Sequence, residues 1–105
     1  MPDDDLEALA RATARELLAG TDPATFRPHD DWLDLGLLVR AMEARGLYLM
    51  TNSALKDGRV RRMASFHRDT GRGYPCVGAS EWGFFATHGE AVLRAAHEAV
   101  TRPRA

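Results

Sequence analysis

The sequence predicts an α+β fold, a small layered sandwich of order α-α-β-β-β-α around a three-stranded antiparallel sheet. Three observations lead there: apolar residues at helical spacing before Gly46 and again after Thr87, an Asp57-Gly58 pair between two strand-like runs, and a glycine-rich turn ahead of a third run. The 105 residues and 45% apolar content suffice for one hydrophobic core and not for two.

The first helix runs from Asp3 to about Ala19. Leu6, Leu9, Ala10, Ala14, Leu17 and Leu18 recur at steps of three and four, and Thr13 lies on the same stripe. Asp4 followed by Glu7 fits a capping box at its start, and Gly20 offers its stop. Pro23 and Pro28 prevent continuation, so Thr21 to His29 reads as a short ordered connection around Phe26. This divides the chain into a helical extension, 1–22, and a single α+β domain, 23–105. The extension is read as a lid, a dimerisation element or another core layer.

Asp30 or Asp31 caps the second helix, whose stripe is Trp32, Leu35, Leu38, Val39 and Met42 and whose end is Gly46. Leu47 to Thr51 opens the first strand. Asp57-Gly58 is the strongest hairpin signal in the chain, and Val60 to His67 forms the second strand. On that strand Val60, Arg62, Ala64, Phe66 and Arg68 share one face, while Arg59, Arg61, Met63, Ser65 and His67 share the other. The turn from Asp69 to Gly73 leads into a third strand, Tyr74 to Ala79, with Pro75 near its start. Thr87 with Glu90 forms another capping box. Val92, Leu93, Ala96, Ala99 and Val100 line the last helix, which Pro103 stops.

Charge is unevenly distributed. The net of −1 separates into ten acids against five arginines in residues 1–50, net −5, and five acids against nine bases in residues 51–105, net +4. A uniformly polybasic nucleic-acid binder and a general disorder are both excluded. Thirteen arginines against one lysine, with 17 alanines, read as genomic background rather than as guanidinium chemistry. A single cysteine, Cys76, forms no internal disulfide and no thiolate cage, which points to a reducing, cytoplasmic setting. No apolar run approaches the roughly 18 residues of a membrane span, and Asp3 to Asp5 stand where a signal peptide would be basic.

From Asp31 to Val100 the arrangement resembles the phage ABA sandwich domains of bacteriophage and prophage proteins. The residues that carry the likeness are Asp31-Trp32 opening a helix that runs to Arg45-Gly46, the hairpin, and the closing run Thr87 to Ala96, where Ala91 to Ala95 fits an A-x-x-R-A pattern. The resemblance implies a phage-associated α/β/α layered domain and transfers no catalytic residue. Double-stranded RNA-binding domains share the order helix, three strands, helix, but resemble one another in a lysine cluster where this chain has Thr87, His88, Gly89 and Glu90.

The candidate binding residues are Arg59, Arg61, Arg62, Arg68 and Arg72, with Lys56 and with Trp82 nearby in sequence. Arginine forks onto phosphates and carboxylates, and an aromatic ring adds a stacking surface. Against this stands a solvated, aggregation-resistant strand edge. Trp82, Phe84 and Phe85 are expected as a hydrophobic staple beneath the last helix. His29 with Asp30 and Asp31 is read as a helix cap rather than a metal site, and no His or Cys spacing suits a metal. Cys76 with His67 or His88 would be needed for a nucleophile, and a small core residue is the expected role of that cysteine.

The expectation is a non-catalytic, phage- or prophage-associated module binding a macromolecule, with a protein partner first. The alternatives are a nucleic-acid-binding accessory protein using the arginine hairpin, and a small Cys/His enzyme. No cofactor, metal or membrane is expected, and the first helix is a candidate homodimer contact.

Overall fold

Two residues set the centre of the sheet. Asp57 and Gly58 both have positive φ, 54° and 76°, as a two-residue type I′ hairpin turn requires. In the computed structural model, which describes residues 2–101 and side chains from Asp5 onward, this turn joins β1 (Leu47–Lys56) to β2 (Arg59–Arg68). Their register runs without a break from Leu47 opposite Arg68 to Lys56 opposite Arg59. The third strand, β3 (Cys76–Ala79), pairs antiparallel with the other edge of β2, giving the order β1-β2-β3.

Two of the three α-helices cover one face. The three are α1 (Pro2–Leu17), α2 (Trp32–Ala44) and α3 (His88–Thr101), so the chain is α+β in the order α-α-β-β-β-α. Asp31 caps α2 by accepting from the N–H groups of Leu33 and Asp34. Thr87 caps α3, its Oγ1 accepting from the Glu90 N–H at 3.1 Å, while Glu90 accepts from the Ala86 N–H. The expected Pro103 stop lies outside the described residues, and α1 begins at Pro2, so Asp4 stands inside the helix rather than at its cap. Glu7, its would-be partner, instead accepts from Arg27 at 2.7 Å.

The core forms where α3 lies on the sheet. Ala64 and Phe66 of β2 and Leu47 of β1 meet Val92, Leu93 and Ala96 of α3 and Leu38 and Met42 of α2. Full burial of a ring such as Phe66 contributes about 1.5–3 kcal/mol. The contact with β3 is unusually close: a Cβ on Gly78 would stand 2.4 Å from the Ala99 backbone nitrogen, so only glycine fits there.

α1 packs against α3 and α2 rather than on the sheet. Its Leu6, Ala10 and Ala14 join the same core, and Thr13 is buried with its hydroxyl donating to the Leu9 carbonyl. α1 is therefore a further layer of the same core, with Leu9, Leu17 and Leu18 of its apolar stripe packed against that core and partly buried. Arg27 ties the layers together by bridging Glu7 of α1 and Asp30, at 2.7 and 2.6 Å. These hydrogen bonds are the main reason both carboxyls sit below their ordinary range.

Two expectations need correction. The α/β/α layering implied by the resemblance is not adopted, because α2 and α3 pack on the same face of the sheet and α1 stacks behind them. Trp32, which helical period assigns to the apolar stripe of α2, is 79% exposed, beside the exposed Leu33. Leu38 and Met42 at the far end of the helix reach the core; its first turn overhangs. Among the described residues no helix is long and apolar enough to cross a membrane.

Candidate binding face of the sheet

Opposed residues of an antiparallel pair point to the same side, so the register alone defines the helix-free face. It carries Tyr48, Met50, Asn52, Ala54 and Lys56 from β1 and Arg59, Arg61, Met63, Ser65 and His67 from β2. Neither strand contains an acid. Tyr48 and Met50 are about half exposed, a poor arrangement for apolar side chains unless something covers them.

The segment after β3 completes this face. Ser80 still pairs with Ala64, its N–H donating to the Ala64 carbonyl and its hydroxyl accepting from the Ala64 N–H. Gly83 next pairs with Arg62 through two backbone hydrogen bonds of 2.8 and 3.0 Å. Glu81 and Trp82 thus oppose Met63 alone, which is a bulge. Its effect is to turn Trp82 and Phe84 onto the open face and Phe85 toward the core.

There the rings meet the arginines. The Arg59 guanidinium lies 4.0 Å from the Phe84 centroid, and that of Arg61 lies 5.1 Å from the Trp82 centroid. Each such pair stabilises by about 0.5–1 kcal/mol at an exposed site. Trp82 and Phe84 remain 41% and 45% exposed. Among the described residues neither Arg59 nor Arg61 has a carboxylate partner, so their N–H edges are available to a ligand.

This corrects the staple expected of all three aromatics. Only Phe85 packs against the core, where Arg94 of α3 covers its ring. The six candidate residues also divide. Arg59, Arg61 and Trp82 come together. Arg62 points to the covered side, where its Nη1 donates to the Phe85 carbonyl at 2.6 Å and clamps the bulge. Arg68 lies on that same covered side at the end of β2, exposed, and Arg72 sits in the exposed β2–β3 turn. Tyr48, Met50 and Phe84 were not singled out as binding residues, although the alternation along β1 carried the signal for the first two.

Cys76, expected in the core, is exposed at the edge opposite His67. Its sulfur contacts the Gly78 carbonyl, while the two His67 nitrogens contact the Ser65 hydroxyl and the Tyr74 carbonyl. That geometry does not pair the thiol with the imidazole. Asp31 provides the cap expected near His29, whereas the His29 ring is buried. Among the described residues no group of His, Cys, Asp and Glu is placed to hold a metal ion.

No family model, curated protein or solved structure matches the chain.

Proposed function

We propose that the chain is a non-catalytic binding module that docks an acidic segment of another protein on the open face of its sheet. The observation that carries this reading is the pair of stacks, Arg59 on Phe84 and Arg61 on Trp82, beside exposed Tyr48 and Met50 on a face with no helix over it. Trp, Tyr, Arg and Met are the residue types enriched where proteins meet, and arginines held by rings lose little entropy on docking. The acid-free β1 and β2 select a partner of negative charge. A phage or prophage setting rests on the sequence likeness of Asp31-Trp32 and Thr87 to Ala96 to phage ABA sandwich domains alone, since the α/β/α layering that likeness implies is not adopted.

A second reading is single-stranded nucleic acid, favoured by the alternation of cation and ring on this face. The experiment compares immobilised wild-type chain with Arg59→Glu/Arg61→Glu and with Trp82→Ala, offering native cell extract and a single-stranded oligonucleotide over graded salt. A protein retained by wild type and lost by both variants is the expected result. Equal retention by all three chains overturns the proposal. Oligonucleotide binding with a steep salt dependence would transfer the face to the second reading.

A further inference from the structure

On the opposite side of the molecule, the first turns of α2 and α3 enclose a cavity of about 70 Å³ lined by His29, Asp31, Trp32, Thr87, His88 and Gly89. It is far smaller than the roughly 300–1,000 Å³ of a drug-sized ligand site, and suits a single small polar group. His29 is only 6% exposed, yet neither of its ring nitrogens has a hydrogen-bond partner in the fold, and the buried Nδ1 of His88 has none either. Buried polar atoms without partners are costly, and a ligand that meets them recovers that cost.

The backbone adds donors in the same place. The first N–H groups of a helix have no partner within it and point back along its axis. In α3 the Thr87 hydroxyl takes the Glu90 N–H, which leaves those of His88 and Gly89, both on the cavity wall, without a partner among the described residues. The position is fixed by close packing: a Cβ on Gly89 would lie 2.1 Å from the Pro28 carbonyl oxygen, and the Thr87 hydroxyl donates to the His29 carbonyl. His88 is held from its other side, Nε2 against the Ser53 hydroxyl of β1 at 3.1 Å.

Two carboxylates, Asp30 and Asp31, also line the cavity. Asp30 accepts from the Arg27 guanidinium, and Asp31 accepts from the opening N–H groups of α2. Asp31 does so through Oδ1 alone. The nitrogens left unmet are both of His29 and Nδ1 of His88, each ring able to present an N–H there in the suitable tautomer, beside the positive end of α3.

We propose that this cavity is a binding site for a small oxyanion, of the size of sulfate, phosphate or a single carboxylate, held by His29, His88 and the first N–H groups of α3. It is separate from the sheet face and does not depend on the function proposed for it.

The test is a titration of the full chain with sodium sulfate, against sodium chloride at matched ionic strength, followed by NMR of the imidazole rings and backbone amides. Saturable shifts confined to His29, His88 and Gly89, seen with sulfate and not with chloride, are expected. His29→Leu should abolish them. His88→Ala, at a half-buried position outside the core cluster, should weaken them severalfold and guards against a folding defect in the first variant. Parallel titrations with acetate and with a short peptide, its C-terminus free or amidated, separate a free anion from a partner's carboxylate. Shifts that do not saturate, that follow Lys56 to Arg61 instead, or that persist in His29→Leu overturn the proposal, as does a cavity that responds to no oxyanion and therefore holds water alone.

Discussion

The two faces of the sheet use the same strands for opposite ends. On the covered face of β2, Ala64 and Phe66 are fully buried under α3, and even Arg62 is turned to structural use on the Phe85 carbonyl. On the open face, one residue away along the same strand, Arg59 and Arg61 support Phe84 and Trp82 in water. Side chains alternate along a strand, so each residue's face is settled by parity, and its role by whether a helix lies over that face. The covered face carries the stability; the open face carries the cation–ring pairs of the proposed docking surface.

The sharpest way to break that division is to truncate one ring on each side. Phe66→Ala should lose about 3–5 kcal/mol in denaturant unfolding, a large share of the roughly 5–15 kcal/mol typical of a domain. Were Trp82→Ala to cost as much, the faces would not differ as described. A smaller effect is expected at the start of the covering layer: Asp31→Ala removes the α2 cap and should cost about 1 kcal/mol by the same measurement. On the open face, Trp82→Ala and Phe84→Ala should each cost less than about 1 kcal/mol, the scale of an exposed cation–π contact, while abolishing partner capture.

The smallest effect concerns acid. Arg27 holds the carboxyls of Glu7 and Asp30 below their ordinary values of 4.5 and 3.8. A carboxyl depressed in the fold stabilises above its unfolded value, and that contribution fades as pH falls through the folded value. Thermal unfolding followed downward from neutral pH should therefore show an acid limb beginning near those ordinary values. The limb should flatten in Arg27→Met. Both carboxylates are solvent-facing, so the change is expected to be slight.

Much of the fold was legible because it is written in short-range patterns. The I′ turn needs two residues that tolerate positive φ, and Asp57-Gly58 announces it. The Thr87 cap is readable three residues from its partner, and the division of β2 into two faces follows from alternation alone. Trp32 was misplaced because helical period assigns a stripe without saying how far the covering layer extends along it. The 1–22 segment looked separable because Pro23 and Pro28 interrupt the helix. Burial of Leu6, Ala10 and Ala14 against α3 depends on contacts nearly the whole chain apart.

The candidate site was legible only in its parts. Arginines on the hairpin and aromatics before the last helix are visible in the sequence, but their meeting depends on one extra residue, the bulge at Glu81 and Trp82, which sets the parity of everything after Ser80. Without that bulge Trp82 and Phe84 would point to the other face. The cavity between α2 and α3 is likewise a tertiary product, since His29 and His88 converge only when the Thr87 hydroxyl reaches the His29 carbonyl across the fold. By itself the sequence determined the elements, their caps and their turns, because each rests on neighbours a few residues apart. The tertiary structure alone decided which sheet face stays open, which arginines share it and where the His29 ring and Nδ1 of His88 are left without partners, because those outcomes rest on strand register and on helices packed from distant parts of the chain.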